Sequence, residues 1–466
     1  MLFNSIEFFY FFLVVFPFYC ILGQKTRKVL LLIASYYFYM CWNINYVFLI
    51  LLSTITSYFA SIGIEATKNR LKKKVFLWSS IIISLSILCF FKYYNFFFFF
   101  LNEISSFNLK LMNFLLPVGI SFYTFETFSY TIDVYNNKLK AEKNFWIYSL
   151  FISFFPKLVA GPIERSENLI PQFHRETSIK TENIIVGTKY IILGFFMKLV
   201  VADRLSIYVD SVYNNVDSHF GLTFLIATLC FSFQILCDFA GYSTIALGVA
   251  KLFDYQLMLN FKRPYFSLTF SEFWRRWHIS LSSWFRDYVY IPLGGNRGKK
   301  IKVYRNLFLT FLISGLWHGA NWTFVVWGAF HGIFLVFENI IFSKQKNTFF
   351  EKYFITRVIK RIFIFIMVSF AWIFFRANSL SDAIKIITKS FDFKHQIFTD
   401  SSTLFFGVIS ILILLLIDNR IERNSNNNEF TSNKLTVFSI LIFSFLLIMI
   451  FYFGVFDGGQ FIYFQF

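Results

Sequence analysis

The chain is dominated by apolar runs long enough to cross a lipid bilayer. Candidate crossings occupy residues 6–22, 28–42, 46–64, 75–101, 114–133, 184–208, 221–250, 304–320, 322–343, 358–376, 403–418 and 434–456. One helical crossing needs about 20 mostly apolar residues. Inside lipid only helices and closed barrels satisfy every backbone polar group. Only 15% of the residues are charged and 57% are hydrophobic, whereas a soluble chain carries about 25% charged residues. A soluble fold with this composition would leave a very large apolar area facing water. Soluble enzymes, disordered chains and secreted disulfide scaffolds are therefore excluded. The expected fold class is an all-α polytopic membrane protein of about 11–13 transmembrane helices, with re-entrant or interfacial helices, forming one membrane domain over residues 1–466. The first run is expected to be a retained helix and not a cleaved leader.

The formal charge of +18 would suggest nucleic acid as a partner of a soluble chain. Here the basic residues lie in loops between apolar runs, which points to the lipid bilayer and to the positive-inside rule. With the N-terminus outside, the inner loops hold 34 Lys and Arg and the outer loops 4. Both termini are then expected to face outward. The five cysteines, Cys20, Cys41, Cys89, Cys230 and Cys237, lie in or beside apolar runs without a CxxC pair. They read as buried small residues, not as a metal site or disulfide framework.

Two stretches fit crossings poorly. Residues 145–160 are short and contain Pro156 and Lys157. Residues 265–293 are aromatic but interrupted by Arg275, Arg276, His278, Arg286 and Asp287. Irregular backbone at membrane depth is tolerated only when buried in protein or lining a wet cavity, so both are candidate re-entrant or interfacial elements. The polar residues concentrate in the second. Over FWRRWHISLSSWFRDY at 273–288, a helix would align Trp274, Trp277, His278, Leu281 and residues 284–285 on one stripe. Two readings stand: an interfacial amphipathic anchor, or the wall of a cavity whose arginines meet the phosphates of an anionic donor. Residues 294–296 read as a turn.

His318 lies 13 residues beyond Arg305, the end of the basic loop. An uninterrupted helix would lift it about 20 Å, into a hydrocarbon core about 30 Å thick. Gly315, Gly319 and Ala320 around it permit close backbone approach, or room for a substrate. His318 is either a hydrogen-bonded core histidine or a general base that takes a proton from an attacking hydroxyl. His331 beside Gly332 reads as helix packing. The histidines have no zinc-ligand spacing, so no metal is expected. His174, His219 and His395 lie in loops and carry no assigned chemistry.

At these residues the sequence resembles the membrane-bound O-acyltransferase family, in its branch of bacterial alginate and peptidoglycan O-acetyltransferases. The segments that carry the resemblance are PVGISFYTF at 117–125, FFPKLVAGPI at 154–163, DFAGYS at 238–243, NFKRPY at 260–265, WRRWHISLSSW at 274–284 and LWHG at 316–319. It implies helices around a central tunnel in the bacterial cytoplasmic (inner) membrane, with residues 265–331 as the catalytic core region. It makes His318 the catalytic histidine and His278 the second histidine position. The C-terminal QFIYFQF at 460–466 is similar to the aromatic tail of this branch. There Tyr463 would relay the acyl group to an SGNH-hydrolase-like extracytoplasmic transferase; the alternative is an interfacial aromatic anchor. The donor implied is acetyl-CoA, a substrate and not a permanently bound cofactor, with Arg275, Arg276, Trp274, Trp277 and the basic residues of 297–305 as candidates to bind it. The function expected is O-acetylation of a cell-envelope polysaccharide. The alternatives are D-alanyl transfer to teichoic acid and a non-enzymatic polysaccharide flippase or export channel.

Overall fold

The computed structural model describes residues 1–104, 110–112, 116–342, 353–423, 430, 432–456 and 462. Among the described residues the regular structure is helical and no strand occurs. Among the described residues seven helices are long and apolar enough to cross a membrane: Ile44–Ala66, Arg70–Phe99, Thr181–Tyr213, Leu222–Leu252, Trp322–Ile341, Phe354–Arg376 and Ser401–Arg423. Ile6–Ile21 and Val437–Phe453 are shorter apolar helices. Among the described residues of the run at 114–133, the helix is Ile120–Tyr135, most of which is buried. The protein is an all-α polytopic membrane protein. Large side chains such as Phe9, Leu412 and Phe451 are exposed along these helices, as lipid permits. Cys20 and Cys41 are also exposed and Cys89 is half-buried, so of the five thiols read as buried only Cys230 and Cys237 are so. A thiol on a lipid-facing surface need not be packed. His174 closes the helix Ser166–His174 instead of lying in a loop, and its Nε2 meets Glu142 Oε2 at 2.6 Å.

The chain packs as two compact units. The first comprises residues 1–191, 242–258 and 433–435. Its helices Val47–Ala66, Arg70–Ile104 and Ile120–Tyr135 pack on one another. The first presents a buried face of Ser53, Ser57, Ala60 and Ser61; such small side chains let helices approach closely in lipid. The Ser57 hydroxyl donates to its own helix at Ser53 O, 2.6 Å. Residues 145–160, expected to be re-entrant or interfacial, form two helices, Phe145–Ser153 and Phe155–Leu158, broken at Phe154. The break lies buried in protein. Phe155 N–H donates to Ser35 Oγ at 3.0 Å. Lys157 forms a buried ion pair with Glu126. The other Glu126 oxygen accepts Glu164 N–H at 3.0 Å, and Glu164 accepts the N–H of Met258. The irregular chain is thus satisfied by side chains where water is absent.

The second unit comprises residues 192–241, 259–432 and 436–466. One continuous apolar core runs through it, with Trp274, Trp277, Trp327 and Trp372 among its members. Within the long helix that ends at Tyr213, residues Phe196–Ala202 form a π-helical turn. Such turns relax the regular hydrogen-bond ladder and are frequent at functional sites.

Removing one partner of a buried ion pair costs about 3–5 kcal/mol. Glu126→Ala is therefore expected to lower the unfolding temperature of the detergent-solubilised protein sharply. An unchanged melting curve would mean that Lys157 is not held as described.

Candidate active site

The site grows from one helix crossing in the second unit. The helix Lys300–His318 packs against Trp322–Phe342 through glycines. A Cβ on Gly315 would collide with the carbonyl oxygen of Phe324, and one on Gly328 with that of Phe311. Nothing larger than hydrogen fits at either position. Of the two roles open to these small residues, close approach is the one Gly315 takes. A side chain at Gly319 would likewise strike the ring of Phe324. The helix runs unbroken from Lys300 through Arg305 to His318 and ends there, with Gly319 extended at φ −162°.

This crossing places His318 in aromatic surroundings. The imidazole is 3% exposed. It meets Trp317 at 4.9 Å, Trp327 at 4.9 Å and Phe375 at 5.3 Å between ring centroids, all edge to face. Such rings exclude water and hold the imidazole in one orientation. His331, one helical turn beyond Trp327, is fully buried against Trp274 and Trp327, each at 4.9 Å. Neither ring nitrogen of His331 has a hydrogen bond among the described residues, which is the packing role expected of it.

The single amphipathic helix over 274–285 does not form. The chain makes two short helices, Phe270–Arg276 and Ile279–Phe285, separated by an extended Trp277 and by His278 at φ 41°, ψ 56°. That left-handed conformation is strained for a residue with a Cβ. The segment 260–265 holds the break open. Asn260 O accepts Ile279 N–H at 2.8 Å, and Lys262 N–H donates to Arg276 O at 2.9 Å. The Ser280 hydroxyl binds Asn260 Oδ1 at 2.6 Å. These long-range bonds outweigh the local helical periodicity, and the expected stripe is divided. Trp277 and His278 turn into the core and the two helices flank a cavity.

The cavity measures about 380 Å³. Trp274, Arg275, Ser282 and Arg286 form one side, and Leu307, Thr310, Phe311 and Ser314 of the long helix form the other. The latter four repeat at helical spacing, and the next position of that stripe is His318, four residues past Ser314. A largely apolar chamber with two guanidinium groups therefore lies along the helix face that carries the histidine. The sequence-based candidates separate here. Trp274 and Arg275 line the cavity. Arg276 points elsewhere, paired with Glu272 at 2.7 Å and Glu422 at 2.9 Å. These carboxylates hold its guanidinium above the usual arginine range even though partial burial works against them. Trp277 is buried against Trp372 at 4.9 Å. His278 is fully buried, edge-on to Phe239 at 4.6 Å and 6.4 Å from Trp317. Residues 294–296 form the expected turn, with Gly294 and Gly295 at positive φ. Tyr463 lies outside the described residues. Among the described residues no group of three or more His, Cys, Asp or Glu could hold a metal ion.

A second polar centre escaped the motif reading. Lys198, in the π-helical turn, lies 2.8 Å from Asp203 and 2.6 Å from Asp238, all buried. Asp238 opens the DFAGYS segment at 238–243, and Lys198 sits inside an apolar run. An ionisable residue within a membrane run is itself a functional signal, and it was available in the sequence.

Comparison with known proteins gives the family. The family model of membrane-bound O-acyltransferases, MBOAT, matches residues 139–378. The chain is 39% identical to the probable alginate O-acetylase AlgI of Pseudomonas aeruginosa, over 84% of this chain and 75% of that protein. It is 35% identical to the peptidoglycan O-acetyltransferase of Helicobacter pylori, over 77% of this chain and 73% of that one. A teichoic acid D-alanyltransferase of Streptococcus thermophilus is 33% identical over 51% of this chain and 60% of its own length. The chain belongs to the membrane-bound O-acyltransferase family. It is an acyltransferase, and a multi-pass membrane protein of bacterial type.

Overpacking a tight contact costs about 1–3 kcal/mol and more where backbone blocks relaxation. Gly315→Val is expected to separate the two helices, lowering the unfolding temperature and abolishing activity together. Retention of both would contradict the crossing described.

Proposed function

We propose that this protein transfers an acetyl group from cytoplasmic acetyl-CoA, across the cytoplasmic (inner) membrane, for O-acetylation of a cell-envelope polysaccharide of alginate or peptidoglycan type. The observation that carries the reading is the cavity whose wall of Leu307, Thr310, Phe311 and Ser314 continues along one helix face to the buried His318. An extended apolar chamber with Arg275 and Arg286 beside it suits a thioester arm leading away from phosphates. The charge bias of the loops supports an orientation in which that basic face is cytoplasmic.

In this mechanism His318 takes the proton of an acceptor hydroxyl as its oxygen attacks the thioester carbonyl carbon. The new C–O bond forms, the C–S bond breaks, and the proton returns from the imidazolium to the departing thiolate. Products are the acetyl ester and free coenzyme A. Tyr463 is the acceptor we assign. A phenol titrates at about 10 and needs a base within reach to act as a nucleophile near neutrality. The acetyl group then passes to an SGNH-hydrolase-like extracytoplasmic transferase, whose serine takes it by transesterification and regenerates the phenol. His278, buried behind Trp317, serves to orient the aromatic wall.

Two experiments test the scheme. In single-turnover assays with labelled acetyl-CoA, His318→Ala should cut acetyl transfer by about 100-fold or more, the scale of a lost general base. Transfer at the wild-type rate in folded protein would remove the base. In cells, Tyr463→Phe should stop polymer acetylation without lowering protein abundance; unchanged acetylation would remove the relay.

A further inference from the structure

We propose that the buried Lys198–Asp203–Asp238 centre anchors the chain at Ile462, with Asp238 a positioning residue for the acyl relay. The functional half of this inference rests on the acyl-relay reading given above.

Three contacts carry it, all within the second unit. Arg204, just past the π-helical turn, donates to Phe453 O at 2.7 Å where the last long helix ends. Val455 N–H donates to Leu199 O, inside that turn, at 3.0 Å. Ile462 N–H then donates to Asp238 Oδ2 at 2.7 Å. The Ile462 side chain is 3% exposed and belongs to the apolar core. Phe453 and Val455 therefore bond to the π-helical turn and the residue just past it, and Ile462 to the carboxylate that pairs with Lys198 of that turn.

The charge arithmetic explains why a backbone N–H completes the centre. Two buried carboxylates share one ammonium, and a carboxylate oxygen left over in an apolar interior is costly unless hydrogen-bonded. Asp238 Oδ1 takes the Lys198 ammonium at 2.6 Å and leaves Oδ2 for a donor. The Ile462 amide is that donor. A charge-assisted bond of this kind is among the stronger ones available to a backbone N–H. The relay tyrosine proposed above follows Ile462 directly in sequence, so loss of the Ile462 bond is expected to show in its labelling. The neighbouring Phe239 packs on His278, and His278 lies next to Trp317, the residue before His318. The anchor and the base are thus tied to the same aromatic wall.

The test has two arms on the purified full-length protein. Hydrogen exchange by mass spectrometry reads the anchor itself: the Ile462 amide should be protected in the wild type and exchange about tenfold faster or more in Asp238→Ala. No protection, or protection unaffected by Asp238→Ala, overturns the anchor whatever the enzyme does. Because Asp238→Ala also strips a partner from Lys198, the second arm leaves the ion cluster intact. Ile462→Pro removes the N–H, while also fixing φ and trimming the side chain, and Ile462→Val keeps the N–H. With labelled acetyl-CoA, Ile462→Pro should keep acetyl-CoA binding and lose label on the tail, while Ile462→Val keeps both. Equal tail labelling in the proline variant overturns the positioning role. Faster exchange in Asp238→Ala, together with no His318-dependent transfer in the wild-type protein, would support the anchor and retire the acetyl-relay reading alone.

Discussion

A lysine ammonium cannot remain charged and alone in a hydrocarbon interior. Moving such an ion out of water carries an effective cost of several kcal/mol, offset only by close counter-charges and further hydrogen bonds. Each compact unit holds such a lysine with counter-charges drawn around it. In the first, Lys157 draws together Glu126 and, through it, the N–H of Glu164. In the second, Lys198 draws together Asp203, Asp238 and the N–H of Ile462. Both lysines sit where the helix is irregular, at a break in one unit and in a π-helical turn in the other. The irregular backbone and the buried cation belong to one arrangement: loosened turns expose polar groups, and the side-chain network satisfies them.

The same economy of polar groups defines the active-site region. The strained His278 and the extended Trp277 interrupt what would otherwise be an amphipathic helix. Asn260 and Lys262 satisfy the backbone freed by that break. The result is a chamber bounded by two short helices and by the face of Lys300–His318, with an imidazole enclosed by Trp317, Trp327 and Phe375. A histidine in such a setting is shielded from bulk water. The glycine crossing at Gly315 and Gly328 makes the enclosure possible, because it lets Trp327 approach the end of the neighbouring helix.

Family membership and geometry support each other at different levels. The matches extend over most of the chain for the alginate and peptidoglycan O-acetyltransferase relatives and over about half for the D-alanyltransferase relative. They establish acyl transfer as the activity. The structure adds which basic residues accompany the cavity. Arg275 and Arg286 do, whereas Arg276 is committed to Glu272 and Glu422. Two adjacent arginines that look interchangeable in the sequence thus have separate duties, one at the chamber and one in bracing the short helix.

The sequence by itself determined the all-helical membrane fold, the positions of the long apolar runs, the irregularity of 145–160 and 265–293, and the concentration of polar chemistry around LWHG at 316–319. These are local properties: apolar length and interruption report directly on partition into lipid, residue by residue. Only the tertiary structure decided that the 274–285 stripe is broken, that Arg275 and not Arg276 borders the cavity, and that His278 is sealed behind Trp317. It also decided that Asp238 takes up both Lys198 and, 224 positions along the chain, Ile462. Those outcomes depend on which helix faces meet. A residue's neighbours across a packed interface are set by the whole arrangement of elements, and sequence periodicity carries no record of them.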